Sequence, residues 1–379
     1  MARISLPVYG SRKASGADAA TTGAVDRSRP YASCEWLEGG LAFNRRGLHA
    51  CLIVHHGRGF PKLCDFEGGE VPMAEALAAR NRIIAENQAG GHEACRGCAH
   101  LKTKRWPKPK YAVQVVGIAQ FARCNIYCNY CYLQTQDPAS FEDGFNPYDV
   151  KPAIDALIRD GHLAPNALID WGGGEPTIHP EFDEILDATA RRGAKHWIHT
   201  NGTRFPKPIR NGLSTKRIHI LCSVDAGYPE TYLKMKQRDF LDLVWKNLAE
   251  YVSRGCEVVV KYIVKQENCS EPELLAFLKK AKEIGVRKVL IDIDYDYPNP
   301  TPEVLGGLRF LKRESLRHGL FAPFGFTGAK FQPELEVEQR MEKGLYPRFR
   351  DKFVPLLYNI RVRTGLYSAL IARMLRPQA

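Results

Sequence analysis

Three cysteines lie within an eight-residue stretch and are the residues of this chain best suited to chemistry. Cys124, Cys128 and Cys131 follow the spacing C-x₃-C-x₂-C. Three thiolates this close together can bind three irons of a 4Fe–4S cluster and leave the fourth iron open to a reactant. Zinc is the alternative partner, but it usually takes four ligands in paired clips. The spacing therefore predicts an iron–sulfur site with an open coordination position.

A second group of chemically useful residues follows later in the chain, after an apolar run at 167–171. Residues 172–176 read Gly-Gly-Gly-Glu-Pro. Consecutive glycines let a ligand approach the backbone because they carry no Cβ atom. The carboxylate of Glu175 could then accept a charge-assisted hydrogen bond from an ammonium group. The alternative is that these glycines only form the turn from a strand into a helix.

Three more polar residues stand after apolar runs. Asn201 precedes Gly202, Ser223 and Asp225 follow the run at 218–221, and all of them could bind a ligand. Each also has a structural alternative, since asparagine before glycine is common in turns and aspartate is common at the start of helices.

The elements that must position these residues alternate between short apolar runs and amphipathic stretches. The sequence predicts strands near 111–119, 166–171, 195–200, 217–222, 256–264 and 287–293. It predicts helices near 147–161, 179–192, 206–213, 238–253, 271–284 and 302–318. Such alternation indicates an α/β fold with a parallel sheet, and six units predict a partial (β/α)₆ TIM-like barrel. Parallel barrels place their chemistry at the carboxyl ends of the strands, where the residues above are expected to meet.

These motifs together resemble those of the radical S-adenosylmethionine (SAM) superfamily, over about residues 110–316. The cysteine spacing, with Tyr130 before the last cysteine, is similar to the family's cluster-binding motif. Residues 173–176 resemble its Gly-Gly-Glu-Pro motif, and residues 197–202 and 218–227 resemble its third and fourth strand ends. The resemblance implies an enzyme that reductively cleaves SAM at a 4Fe–4S cluster. The product would be a 5′-deoxyadenosyl radical that abstracts hydrogen from a substrate.

The resemblance also implies roles for single residues. Cys124, Cys128 and Cys131 would hold the cluster. The other expected SAM contacts are Tyr130 near the adenine, Gly173, Gly174 and Glu175 at the methionyl amino group, Asn201 at the third strand end, and Ser223 and Asp225 at the ribose. Such an enzyme needs an electron donor, such as flavodoxin or ferredoxin.

A second set of cysteines precedes the predicted barrel. Cys34, Cys51, Cys95 and Cys98 supply four thiolates, the last two in a C-x₂-C clip, and Cys64 could replace one of them. They could hold an auxiliary 4Fe–4S cluster or a structural zinc, or remain free thiols. The first pair loosely resembles the opening of the SPASM module of radical SAM enzymes, although that module normally follows the barrel. The remaining cysteines, Cys222, Cys256 and Cys269, are predicted to be small core residues.

Length and composition limit the class of protein and its division into domains. The 379 residues are 44% hydrophobic and 25% charged, and no apolar run is long enough to span a bilayer. Eleven cysteines without an apolar leader predict a reducing compartment, the cytoplasm. We expect a disordered lead-in at 1–30, a cysteine-rich metal-binding region at 31–104, the barrel at 105–320 and a basic C-terminal extension with a helical tail at 321–379.

The net charge of +12 favours an anionic substrate, although the excess is spread along the chain. Asp292, Asp294 and Asp296 alternate with apolar residues and share one strand face; if that face lines the barrel, it suits a hydroxyl-rich or cationic substrate. The alternative from another class is a zinc-containing nucleic-acid-binding protein, which the motif order argues against. Iron and acid-labile sulfide in the purified protein would separate the two.

Overall fold

The computed structural model describes residues 25–52, 59–98, 100–136, 138–143, 145–294 and 300–325. The predicted C-terminal tail from residue 326, most of the predicted lead-in and Asp296 lie outside the described residues. No helix within those ranges is both long and apolar enough to cross a membrane.

The N-terminal part of the described chain contains short strands and one long helix. In chain order these elements are β1 (Tyr31–Ser33), α1 (Glu35–Gly39), β2 (Gly40–Asn44), β3 (Gly47–His49), β4 (Lys62–Cys64), α2 (Met73–Ala89) and β5 (Lys102–Lys104). Helix α2 covers a stretch rich in alanine, arginine and glutamate.

The rest of the described chain alternates strands and helices. The elements are β6 (Val113–Ala119), α3 (Tyr132–Gln136), α4 (Pro138–Glu142), α5 (Lys151–Arg159), β7 (Leu163–Trp171), α6 (Phe182–Arg191), β8 (Lys195–Thr200), α7 (Lys207–Arg210), β9 (Ile218–Ser223), α8 (Pro229–Lys236), α9 (Leu241–Ser253), β10 (Glu257–Val264), α10 (Glu271–Glu283), β11 (Lys288–Ile293) and α11 (Pro302–Arg317). All six predicted barrel strands are present; the helices α3, α4 and α8 were not predicted.

One nine-stranded sheet organises the molecule, in the order β11-β10-β9-β8-β7-β6-β2-β3-β4. The six strands from β6 to β11 are parallel neighbours in sequence order, so the predicted α/β fold with a partial TIM-like barrel is confirmed. Their carboxyl ends lie along one edge of the sheet, and the loops that follow them meet there.

The two faces of the sheet differ in burial. In β8, His196, Ile198 and Thr200 are buried, while Trp197 and His199 between them are exposed. This alternation is what a half-buried strand requires, because successive side chains point to opposite faces. The buried face packs on the helices, and the opposite face forms the open inner wall of the barrel.

The sheet continues across the boundary expected at residue 104. Strand β2 pairs in parallel with β6, and β3 and β4 extend the sheet antiparallel. Leu41 and Phe43 of β2 belong to the same hydrophobic core cluster as the barrel strands. The cysteine-rich region therefore shares the sheet and the core of the barrel; as a functional boundary, the division at residue 104 stays a prediction.

Candidate metal and SAM site

The three clustered cysteines lie on the loop that leaves the carboxyl end of β6. Cys124, Cys128 and Cys131 are all partly exposed and none forms a disulfide bond. A backbone hydrogen bond of 3.0 Å from Cys131 N to the Cys128 carbonyl closes a turn between the last two. The loop thus presents its three thiols at the edge where barrel chemistry is expected.

The glycines after β7 pack directly against this cysteine loop. A Cβ atom on Gly173, which has φ +83, would collide with the carbonyl oxygen of Phe121. A Cβ atom on Gly174 would collide with that of Arg123 and lie 2.6 Å from that of Ala122. The missing Cβ atoms therefore let the backbone of the cysteine loop approach. This is a different close contact from the ligand approach that the sequence predicted.

Glu175 is 1% exposed, and its carboxylate already accepts several hydrogen bonds from the chain. The donors are Thr177 N at 3.0 Å, Thr177 Oγ1 at 2.5 Å, Thr200 Oγ1 at 2.7 Å and Asn201 N at 2.6 Å. Burial raises the pKa of this carboxyl group, while the hydrogen bonds lower it in part. Glu175 thus joins the carboxyl ends of β7 and β8; the expected contact with the SAM ammonium group stays a prediction.

Asn201 continues the connection from β8 to the cysteine loop. Its Nδ2 group donates to Asn125 Oδ1 at 2.8 Å and approaches Cys124 Sγ at 3.6 Å. Its Oδ1 atom accepts hydrogen bonds from the backbone and the hydroxyl of Thr203, at 2.9 and 2.7 Å. Asn201 therefore belongs to the site as a support for Cys124, and it also forms the turn that the sequence allowed.

Asp225 and Tyr130 contact each other at this edge of the sheet. The Asp225 carboxylate is fully buried and accepts hydrogen bonds from Ile263 N at 2.6 Å, from Lys236 Nζ at 2.6 Å and from the Tyr130 hydroxyl. The ribose contact expected of Asp225 and the adenine contact expected of Tyr130 stay predictions, as does the ribose contact of Ser223, which is partly exposed at the end of β9.

Lys236 is the residue of this site that the sequence did not reveal. Its side chain is 1% exposed and forms an ion pair with Asp225. Burial opposes its charge, but the neighbouring Asp225, Cys128 and Tyr232, together with the hydrogen bond to Asp225, raise the pKa of the ammonium group. Nothing in the local sequence separates this lysine from the surface lysine Lys234 two positions earlier, because its burial results from contacts with distant strands.

The donor set at this edge fits an iron–sulfur cluster. Burial and the nearby Glu175 carboxylate raise the pKa of Cys124 to about 12, and burial raises that of Cys128. Neighbouring thiols contribute to both shifts, so the sulfur atoms are close enough to interact. Iron binding would replace the protons of these thiols, since the thiolate is the ligand.

A single metal ion would need a different arrangement of ligands from that of a cluster. No group of three or more Cys, His, Asp or Glu side chains in the described part of the chain is arranged to hold a single metal ion. A cubane cluster binds each thiolate to a different iron, so its ligands need not converge on one point.

Three of the N-terminal cysteines lie next to the two-stranded sheet of β1 and β5. Ser33 of β1 pairs with Lys102 of β5, which brings Cys34 close to the clip formed by Cys95 and Cys98. Burial raises the pKa of the Cys34 thiol to about 11, and the thiols of Cys95 and Cys98 add to the shift. Three of the four expected residues therefore lie close together.

The remaining cysteines fall into two groups. Cys51 is half-buried and follows β3, and Cys64 is buried at the end of β4. Cys222 and Cys256 are buried in the core, as predicted, while Cys269 is only partly buried.

The inner wall of the barrel carries paired charges close to the carboxyl edge. Lys261 Nζ lies 3.2 Å from Asp292, and Lys265 Nζ lies 2.7 Å from Asp294. In register, Lys261 pairs with Ser223 across β9 and β10, so they share the inner face. The aspartates expected on one strand face are thus neutralised by lysines of the neighbouring strand and the loop after it.

Comparison with known proteins identifies the class to which this fold and site belong. Residues 119–278 match the sequence model of the Radical SAM superfamily. This part of the chain is therefore a radical SAM domain, and the family implies a 4Fe–4S cluster and SAM as cofactors. This supports the leading interpretation of the sequence over the zinc-containing nucleic-acid-binding protein.

Three curated relatives show how far the similarity extends. The chain is 26% identical over 163 residues to Fe-coproporphyrin III synthase of Methanosarcina barkeri, covering 42% of this chain and 39% of the relative. It is 24% identical over 179 residues to GTP 3′,8-cyclase of Vibrio atlanticus, covering 45% and 51%. It is 30% identical over 168 residues to the antilisterial bacteriocin subtilosin biosynthesis protein AlbA of Bacillus subtilis, covering 44% and 36%.

The matched part spans about half the length, or less, of these relatives. Among solved structures, SuiB of Streptococcus suis bound to SAM is similar with a TM-score of 0.44 at 15% identity, covering 67% of this chain and 55% of that one.

Proposed function

We propose that this chain is an enzyme that reductively cleaves SAM at a 4Fe–4S cluster held by Cys124, Cys128 and Cys131. The radical produced would abstract hydrogen from a substrate on the inner wall of the barrel. One observation carries the proposal. The cysteine loop lies at the carboxyl edge of a parallel partial barrel and is held there by the glycines and Glu175 that follow the neighbouring strand.

Cys124, Cys128 and Cys131 would hold the cluster, which when bound would supply the one electron that breaks the S–C5′ bond of SAM into methionine and a 5′-deoxyadenosyl radical. The chain's own residues orient the reactants and exclude water. Gly173 and Gly174 fix the cysteine loop, Asn201 supports Cys124, and Ser223 offers a hydroxyl group at the end of β9. An electron donor such as flavodoxin or ferredoxin belongs to the proposal.

The inner wall favours a polar substrate. The ion pairs Lys261–Asp292 and Lys265–Asp294 provide donors and acceptors beside the cluster loop, and the chain's net charge of +12 favours an anionic group on the substrate. The curated relatives carry names of different substrates, among them GTP and a bacteriocin, so we propose the polarity of the substrate and not its identity.

The proposal is tested with anaerobically purified protein loaded with iron and sulfide. Dithionite, or flavodoxin with its reductase, supplies electrons, and 5′-deoxyadenosine and methionine are measured by mass spectrometry with and without cell extract. We expect both products from the parent protein and neither from the variant with all three cysteines of the loop replaced by alanine. A loaded parent that forms no 5′-deoxyadenosine under either condition would contradict the proposal.

We also propose that Cys34, Cys95 and Cys98, with Cys51 as the fourth ligand, hold an auxiliary metal centre. The pairing of β1 with β5 supports it, because it brings together thiols that are more than 60 residues apart in the sequence. The variant that lacks the three loop cysteines separates the alternatives. Residual iron and sulfide with a brown colour would indicate a second cluster, and one zinc in a colourless protein would indicate a structural ion.

A control sharpens that test. Adding Cys95→Ala to the triple variant should remove the residual metal, whereas adding Cys256→Ala should leave it. A triple variant that binds neither iron nor zinc would show that the N-terminal cysteines are free thiols.

A further inference from the structure

We infer that Lys236 is a positioning residue for Cys128 and that its ammonium group supplies a fixed positive charge beside the cluster ligand. The inference rests on the proposed cluster and deepens it, because it assigns control of the cluster's reduction potential to a residue outside the cysteine motif. Two independent contacts, one through the backbone and one through the side chain, support it.

The backbone contact lies at the end of α8. The last carbonyl groups of a helix have no partner within the helix. Here the Met235 carbonyl accepts a hydrogen bond from Asn129 N, and the Lys236 carbonyl accepts one from Tyr127 N, both at 3.0 Å. The two donors flank Cys128 in the sequence. The helix end therefore holds the loop on both sides of this ligand.

The side-chain contact fixes the charge. Lys236 and Asp225 are 1% and 0% exposed in their side chains and lie 2.6 Å apart. Asp225 adopts a left-handed conformation with φ 60, uncommon for a residue other than glycine, and its other oxygen accepts Ile263 N at 2.6 Å. The carboxylate is therefore anchored to β10, and it anchors the ammonium group in turn.

The Tyr130 hydroxyl completes the arrangement. It donates to Asp225 and accepts from Lys236, and the Lys236 ammonium lies 5.0 Å from the centre of the Tyr130 ring. Tyr130 is two residues from Cys128 and next to Cys131. Lys236 is thus connected to the cysteine loop through the tyrosine as well as through the backbone.

The positive charge of Lys236 should raise the reduction potential of the cluster. The reduction potential of an iron–sulfur cluster depends on nearby charge, hydrogen bonds to sulfur and exposure to solvent. The Lys236 ammonium donates to the Tyr130 hydroxyl, so its positive charge lies beside the cysteine loop. A positive charge there stabilises the reduced, more negative cluster. Lys236 therefore makes the electron transfer that precedes SAM cleavage easier.

The experiment compares Lys236→Met with the parent, both loaded with iron and sulfide. Iron and sulfide content report assembly, and a redox titration followed by electron paramagnetic resonance reports the midpoint potential. We expect the potential of the variant to fall by about 59 mV or more, which corresponds to a tenfold loss in the one-electron reduction equilibrium. A merely structural role would change the metal content without shifting the potential of the clusters that form.

Further variants keep the test decisive. Lys236→Met with Asp225→Asn removes both buried charges and guards against misfolding caused by an unpaired carboxylate; its potential should lie below that of Asp225→Asn alone, which keeps the lysine. Lys265→Met is the matched control, since Lys265 lies 5.3 Å from the same tyrosine ring but pairs with Asp294. Its effect should be smaller.

The outcomes are distinguishable from failure of the proposed function. A parent protein that assembles no cluster contradicts the function and the inference together. A parent that assembles the cluster and cleaves SAM overturns the inference alone if fully loaded Lys236→Met keeps the parent's potential and the double variant keeps that of Asp225→Asn.

Discussion

Two groups of cysteines are held in different ways. Cys124, Cys128 and Cys131 are close in sequence, and their loop receives backbone or side-chain contacts from the ends of β7 and β8 and from α8. Cys34 is more than 60 residues from the clip of Cys95 and Cys98, and one short antiparallel pair, β1 with β5, brings them together.

The difference indicates what each site can do. A loop fixed by several neighbouring units can hold reactants in one geometry, which catalysis requires. Ligands gathered by a three-residue strand pair are better suited to a metal that stabilises the local fold, because such a metal supplies part of the folding free energy. We therefore expect changes in the first group to act on chemistry and changes in the second to act mainly on local stability.

The largest expected effect tests the chemical side of this comparison. Replacing any one of Cys124, Cys128 and Cys131 by alanine should abolish 5′-deoxyadenosine formation and remove about four irons per chain, because a cubane needs its thiolates to persist. Cys269→Ala, a substitution away from both groups, should leave product formation unchanged. Full SAM cleavage by a single loop variant would remove the distinction between the two groups.

The glycines offer a test of how the first group is held. Gly174→Ala should lower the free energy of unfolding by about 3 kcal/mol or more and reduce iron loading, because its Cβ atom would meet backbone oxygens of the cysteine loop. Gly172→Ala is the matched control, since the nearest atom to its Cβ is Ala119 Cβ at 3.9 Å. Urea unfolding and iron content measure both. Equal stability of the two variants would show that the loop moves freely.

The variant Glu175→Gln distinguishes a structural role of Glu175 in the site from a direct contact with SAM. One of its buried donors, Thr177, Thr200 or Asn201, would lose its acceptor, so we expect a loss of about 2 kcal/mol in stability. Thr200→Val, which removes one donor only, should cost less. SAM affinity is then measured by equilibrium dialysis on the folded, loaded variant. An unchanged affinity would leave Glu175 with a structural role, and a tenfold loss would support the role implied by the family.

The dependence of stability on pH can be compared for one buried histidine of the barrel and one of the N-terminal region. Burial lowers the pKa of His196 in β8 to about 3 and that of His49 in β3 to about 4, whereas an unfolded histidine has a pKa of about 6.5. The unfolded chain binds these protons first, so stability is lost as the pH falls below about 6.5. Between pH 7.5 and 5.5 each histidine should cost about 1.4 kcal/mol.

Glutamine variants check this assignment by urea unfolding at both pH values. His196→Gln and His49→Gln should each show a smaller loss of stability on acidification than the parent. If one variant keeps the parent's full dependence on pH, that histidine is not neutral and buried in the folded protein.

The sequence by itself determined the order of the barrel strands and the choice of the three cysteines proposed as cluster ligands. Both depend on local patterns: apolar runs alternating with amphipathic helices, and cysteines at a fixed short spacing. The six predicted barrel strands match the observed ones to within a few residues. The sequence identified the N-terminal cysteines as candidate ligands for the same reason, but it did not predict how they are arranged.

Tertiary structure decided the partners of the polar residues. Glu175 and Asp225 are both buried and hydrogen-bonded to distant parts of the chain, and their expected contacts with SAM stay predictions. The sequence did not identify Lys236 as part of the site, because a lysine near the end of a short helix is usually exposed. Its burial depends on the contacts with Asp225 and Tyr130. Side-chain partners depend on which strands become neighbours, and that is fixed only when the sheet assembles.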